Sequence, residues 1–365
     1  MNNKISKFLI ILFIIIIFGF GILNLIVKDK EYSVSERRKL SKMPEISIST
    51  IMNSSFFQNF EKYSLDQFVG RENFRKIKAV FELNVFNKSD FNDIVVINNS
   101  IYKKEYPLNE KSVQNATDKI NYIKNKYLSN SSNIYYSIIP DKNYYLEDSK
   151  ILKMDYSKLI NIMNKNLKEI EYIDITNTLD SNSYYSTDLH WKQEKIQNTA
   201  KLILEKINNK QIIMPEYIEN KVANFNGVYS GQAALDVASD TITILENSTT
   251  KNCKVYNYET DKITDIYDFE KFEKSDDAYD LYVSGPAALQ EITNNDANTD
   301  AELIIFRDSF ASSLVPLMIH EYSKITLVDI RYISSEILDE YIDFNNKDVL
   351  FIYSTTLLNN SSILK

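Results

Sequence analysis

Asp188 and His190 stand two positions apart, and Ser309 lies far downstream. Together these residues carry the types needed for nucleophilic chemistry. A serine hydroxyl needs a general base to attack at neutral pH, and imidazole is the usual one. The chain has only two histidines, His190 and His320. His320 follows Ser309 on what reads as one helix, roughly 16 Å along its axis at about 1.5 Å per residue, which places it at a surface or boundary. His190 remains, with Asp188 spaced to fix its tautomer.

Two plainer readings stay open. Ser309 sits between the apolar run 303–306 and a helical pattern, where ligands bind beyond the carboxyl ends of parallel strands. Helix-terminal N–H groups there can meet a developing oxyanion. The same position suits an ordinary N-cap serine. His190, beside Trp191 (the only tryptophan), equally suits a packed loop.

The elements that must position these residues read as α/β. Helical spacing marks 56–86, broken at Gly70, then 113–127, 156–170 and 196–207. Short apolar runs at 94–97, 134–139, 172–175, 303–306, 325–330 and 349–353 read as strands. Helices are expected over 311–322, where Pro316 would bring a kink, and over 334–342. Strands alternating with helices predict a mostly parallel sheet covered on both faces. Residues 220–277 read instead as a β-rich insertion or edge.

The N-terminus is apolar from 8 to 27, interrupted only by Asn24, Gly19 and Gly21. Such a stretch spans about 30 Å, the thickness of a bilayer core. No small-residue cleavage pattern follows, so an uncleaved transmembrane anchor is expected at 8–27. Lys4 and Lys7 place residues 1–7 in the cytoplasm and the rest outside the cell. Residues 28–75 read as a tether and helical arm, loosely packed around Pro44, and 76–365 as the catalytic domain. The net charge of −8 and a pI near 5.1 exclude a basic nucleic-acid stripe. Cys253 is the only cysteine, and with two distant histidines the sequence offers no metal site and no cofactor motif.

Ser186-Thr187-Asp188-Leu189-His190-Trp191 resembles the signature of the DHHW proteins, relatives of the AlgX and AlgJ alginate O-acetyltransferases in the SGNH-hydrolase-like superfamily. Arg307-Asp308-Ser309-Phe310 is similar to their nucleophile segment. The likeness extends over Ser35 to Arg38 with Pro44, Asp66 to Arg71, Pro140-Asp141-Lys142 and Asp329 to Tyr332. It implies an SGNH-hydrolase-like three-layer fold with Asp188 as orienter, His190 as base and Ser309 as nucleophile. It also implies a membrane-anchored O-acetyltransferase that acts outside the cell on a polysaccharide acceptor. A membrane-bound O-acyltransferase partner would supply the acyl group. Leu189 replaces the first His of the motif, which spares the Asp-x-His geometry. Pro286 stands where the family carries an Asn, leaving oxyanion donation to the backbone of Ser309 and Gly285 or to another side chain. Arg307 stands where the wider superfamily has glycine, and with Gly285 is a candidate for the oxyanion or substrate. Arg331 and Tyr332 either line the same cleft or form a structural ion pair and a packed ring. Trp191 either stacks on a sugar or supports the His190 loop. An esterase with the same residues, or a non-catalytic glycan-binding member of an export complex, are the alternative functions.

Overall fold

The computed structural model describes residues 3–86, 88, 93–131, 133–147 and 150–365; positions 1 and 2 of the expected cytoplasmic segment lie outside them. The chain divides into two compact units, residues 1–92 with 230–236, and residues 93–229 with 237–365.

The first unit contains α1 (Asn3–Ile26), α2 (Ser55–Asp66) and α3 (Arg71–Val80). α1 is long and apolar enough to cross a membrane. Gly70, at φ 76°, turns the chain from α2 into α3. The segment after α1 is not the loose arm that its polarity suggests. Tyr32–Ser33 pairs with Arg38–Lys39 as a small hairpin. Arg38 forks onto Asp66 at 2.9 and 2.6 Å, and Asp66 also accepts from the amide and hydroxyl of Ser41 at 2.9 Å. Glu36 draws in Arg71 at 2.6 Å and Arg75 at 3.4 Å. The polar residues of this segment thus meet opposite charges on the two helices, which pins it down.

The Arg38 guanidinium holds the Asp66 carboxyl well below the usual carboxylate range. Its folded pKa therefore lies below the unfolded value near 3.9. The stability it contributes is present above about pH 4 and lost as pH falls further. Asp66→Asn should cost roughly 1–3 kcal/mol at neutral pH, the scale of charged hydrogen bonds. Faster amide exchange over residues 30–42 at pH 7, with a smaller difference between variant and parent near pH 3, is the expected readout.

The second unit is built on an eight-stranded sheet. In chain order its strands are β1 (Ile134–Ile139), β2 (Glu171–Tyr172), β3 (Lys254–Asn257), β4 (Lys262–Asp265), β5 (Leu289–Thr293), β6 (Glu302–Arg307), β7 (Lys324–Val328) and β8 (Asp348–Ser354). Across the sheet they run β4-β3-β5-β7-β6-β8-β1-β2. From β7 to β2 every pairing is parallel, and β5, β3 and β4 complete an antiparallel edge. Side chains alternate between faces along each strand. Leu303 and Ile305 of β6 join one core, with Ile203 and Leu204 of α6 (Gln197–Asn208). Ile304 and Phe306 join the other, with Ile120 of α4 (Glu110–Tyr127) and Leu159 of α5 (Tyr156–Asn166). The sheet is therefore covered on both faces.

Two elements differ from expectation. The helix over 311–322 lasts only from Ala311 to Leu314 and gives way to tighter turns at Val315–Leu317 and Ile319–Glu321, because Pro316 has no N–H for the α-helical ladder. Residues 334–342 hold one short turn, Leu338–Glu340. Residues 220–277 serve two places. Ile218–Phe225 pairs with Asp240–Glu246 as a separate hairpin, while β3 and β4 extend the main sheet.

Candidate active site

The stretch from Tyr184 to Trp191 closes on itself. Tyr184 and Trp191 form an antiparallel bridge, and the Tyr185 amide donates to the His190 carbonyl at 3.0 Å. Two buried charges then grip the loop from its polar sides. Asp240 accepts from the amides of Ser186 and Thr187 at 2.8 and 2.7 Å, and from the Thr187 hydroxyl at 2.6 Å. The Lys142 ammonium donates to the carbonyls of Tyr185 and Asp188 at 3.0 Å and of Ser186 at 3.3 Å. It also lies about 5 Å from the rings of Tyr102 and Tyr229. Burial pushes the Lys142 ammonium down to about 7, against the pull of Asp188 and Asp240.

This grip aims Asp188 and His190. Asp188 Oδ1 receives the His190 backbone amide at 3.1 Å and lies 2.7 Å from Nδ1, while Oδ2 accepts from the Val228 amide at 2.9 Å. Gly227 makes that approach possible, since a Cβ there would lie 2.4 Å from the Thr187 carbonyl oxygen. A carboxylate on Nδ1 selects the tautomer with hydrogen on that nitrogen, leaving Nε2 as acceptor. Nε2 lies 2.8 Å from Ser309 Oγ. The imidazole stacks on Tyr279, with centroids 3.9 Å apart and planes within 9°, and leans on Phe310.

Ser309 follows β6 at the carboxyl end of the parallel strands. Its hydroxyl meets His190, and the short helix behind it begins after Phe310 with no side-chain cap, so the N-cap reading is not the one the fold adopts. Its neighbour Asp308 is buried and accepts from the amides of Phe310 at 3.1 Å and Ser354 at 2.8 Å. Serine hydroxyl, imidazole and carboxylate thus form one hydrogen-bonded line, an arrangement able to remove the serine proton during attack on a carbonyl.

That line falls inside a recognised stretch: the family model described as DHHW protein matches residues 145–328, half of the chain. The chain belongs to the DHHW family. A DHHW family protein from Eubacterium siraeum DSM 15702 is similar in structure, with a TM-score of 0.59 and 20% identity over 76% of this chain and 97% of that one. Bacillus cereus PatB1, solved with a sulfonyl adduct, gives 0.55 and 17% over 73% and 97%. At those identities the likeness shows the fold. No curated protein matches the sequence.

The remaining expected site residues of this DHHW protein are placed less directly. Trp191 is fully buried, and its indole N–H donates to the Phe310 carbonyl at 2.9 Å and Ser313 Oγ at 3.0 Å. It ties the histidine loop to the serine segment and has no face to offer a sugar. Arg307 is likewise sealed, donating to Ser312 Oγ at 3.0 Å and Gln290 Oε1 at 2.8 Å, with the Gly285 carbonyl at 3.4 Å. These contacts correct the expectation of direct substrate binding by Arg307. The Gly285 amide already donates to the Tyr282 carbonyl at 3.0 Å, so it is not an open oxyanion donor. Phe306 of β6 pairs with Val328 of β7, and Arg331 follows Val328 by three residues as Ser309 follows Phe306, with Tyr332 next. Arg331 forks onto buried Asp329, Nε at 2.9 Å and Nη2 at 2.6 Å, whereas the Tyr332 ring is exposed. His320 is half-buried, with burial pushing its pKa down, and Glu321 is its ionic neighbour at 3.8 Å. Asp240, Gly227 and Tyr279 were not singled out by sequence. Only Gly227 carried a signal, as one of six glycines in the chain.

Lys142→Met should loosen the loop. The Ser186 carbonyl keeps a second donor in the Ile101 amide at 2.8 Å, but those of Tyr185 and Asp188 lose the ammonium. Two buried acceptors without that donor should cost roughly 2–4 kcal/mol, measurable by chemical unfolding of the purified protein.

Proposed function

We propose that this DHHW protein is an O-acyltransferase, most simply an O-acetyltransferase, that works through an acyl-Ser309 intermediate. The hydrogen-bonded line from Asp188 through His190 to Ser309 supports the reading above all else. In the first half-reaction Ser309 Oγ attacks the donor carbonyl as its proton passes to His190 Nε2. The donor's acyl bond breaks, and its leaving group takes that proton. In the second, His190 removes the proton of an acceptor hydroxyl, which attacks the acyl carbon. Ser309 leaves and recovers its proton. Asp188 stabilises the imidazolium in both halves. Of the two backbone donors named above, the Ser309 amide remains for the oxyanion.

The acceptor class is an exported or cell-surface polysaccharide. The α1 helix serves as a single-pass anchor at 8–27, with the second unit as an SGNH-like domain outside the cell. The helix's apolarity and length support the anchor. No acyl-CoA is at hand outside the cell, so a membrane-bound O-acyltransferase partner fits as the acyl supplier.

Full-length protein in detergent, given an activated acetyl ester, should release one rapid equivalent of leaving group and carry acetyl on Ser309 by mass spectrometry. A sulfonyl fluoride should modify the same hydroxyl. Ser309→Ala and His190→Ala should lower the burst by at least ~10³-fold. Unchanged bursts in both variants would remove the catalytic reading and leave a glycan-binding role. Oligosaccharide acceptors should then gain acetyl groups; water as the sole acceptor would make the protein an esterase.

A further inference from the structure

The first unit is built inside out. On α3 the cations Arg71 and Arg75 turn inward to the ion pairs with Glu36 and Asp66, and Ala79 is fully buried beside them. The opposite stripe is apolar and open: Phe74 is 47% exposed, Ile77 53%, and past the end of the helix Phe81 50% and Val85 62%. Phe57, Phe60 and Leu65 form a similar exposed set on α2. Water does not select such a face, and an exposed apolar surface of this extent marks an interaction site.

The anchor shows what covers it. The ring of Phe20, on α1, stacks on Phe68 at 5.4 Å and meets Phe74 edge-on at 5.7 Å. Asn24 Oδ1 accepts from the Val69 amide at 2.7 Å. The corner between α2 and α3 therefore sits beside the last turns of the apolar helix, not beyond its end. Phe20 precedes Ile26 by six residues, about 9 Å along the axis. Interfacial helices seat their apolar faces roughly 5–10 Å into the boundary between headgroups and acyl chains. The two depths agree. On α3, Lys76 and Lys78 stay exposed, Lys76 beside Asp236 at 3.0 Å, and basic residues at such positions suit anionic headgroups.

We propose that α2 and α3 lie in the membrane interface, with Phe57, Phe60, Phe74, Ile77 and Phe81 in the same leaflet as the C-terminal end of the anchor. The protein then holds the bilayer by one spanning helix and two interfacial ones, and the orientation of its first unit to the membrane plane is fixed, not left to a flexible tether. This rests on the reading of α1 as a membrane span and is independent of the chemistry at Ser309.

The test uses the full chain in nanodiscs of phosphatidylcholine and phosphatidylglycerol. Nitroxide labels are placed one at a time at Phe57→Cys, Ile77→Cys and Phe81→Cys, with Lys62→Cys on the polar side of α2 and Phe13→Cys within the anchor. Cys253 is buried and stays unlabelled. Oxygen partitions into lipid and a nickel chelate into water. The oxygen-to-chelate collision ratio should be several-fold higher at 57, 77 and 81 than at 62, and highest at 13. Chelate-dominated labels at 77 and 81, with 13 still deep in lipid, would overturn the interfacial seat while leaving the anchor intact. Labels shielded from both reagents would overturn it in favour of a covering protein. Water access at 13 would remove the anchor and the proposal together.

Discussion

The second unit depends on a carboxylate that is out of water. Asp188 is buried, and an isolated ionised carboxylate in such a place is too costly to keep. It is kept because its two oxygens meet a histidine ring nitrogen and two backbone amides. The His190 amide and ring point at the carboxylate only if the loop from Tyr184 to Trp191 holds one shape. Asp240 takes two of the loop's amides and Lys142 three of its carbonyls, so two further buried charges, of opposite sign, meet its donors and its acceptors separately. Each charge is tolerable only while the loop holds the others in place, which couples the histidine's aim to the integrity of the whole unit.

That coupling changes how the middle of the chain is understood. By its short alternating runs, the segment 220–277 reads as a β-rich insertion or edge. In the fold, Gly227 gives Asp188 room, the Val228 amide binds its second oxygen, and Asp240 holds the loop, all from this segment. Tyr279, just beyond it, supplies the surface on which His190 rests. A stretch outside the Asp188–His190–Ser309 line still determines how His190 is aimed.

The parallel strands and both helical cores were legible in the sequence because they rest on periodicity, whereas Asp188, His190 and Ser309 were candidates from the scarcity of histidine and a spacing of two, and the resemblance to the DHHW proteins singled them out. The rest was not, for physical reasons. Lys142 and Asp240 act on backbone groups of a loop distant in sequence, and backbone acceptors leave no mark on residue types. Trp191, Arg307 and Arg331 were noticed because they are large or charged near the motif. A large amphipathic side chain beside a site can serve a ligand or the scaffold, and its type is the same in both cases. Here the indole spans from the histidine loop to the serine segment, and the guanidinium of Arg331 is spent on Asp329. The helix expected after Ser309 failed at Pro316, where local chemistry outweighs an apolar pattern.

Arg307 is the member of this group whose burial bears on the proposed reaction. Its hydrogen-bond partners are neutral: a serine hydroxyl, a glutamine amide oxygen and the backbone carbonyls of Asp308 and Gly285. Burial disfavours its charge, and Asp329 and Asp308 nearby favour it. A guanidinium stays protonated in such a setting. The cation is thus fixed directly behind the segment that carries Ser309, in a region where charges act over longer distances than in water. A tetrahedral adduct on Ser309 would develop negative charge in that field. With the Gly285 amide already committed to Tyr282 and Pro286 offering no side-chain amide, the proposed reaction has the Ser309 amide as its backbone donor, in a field set by Arg307 together with Asp308 and Asp329.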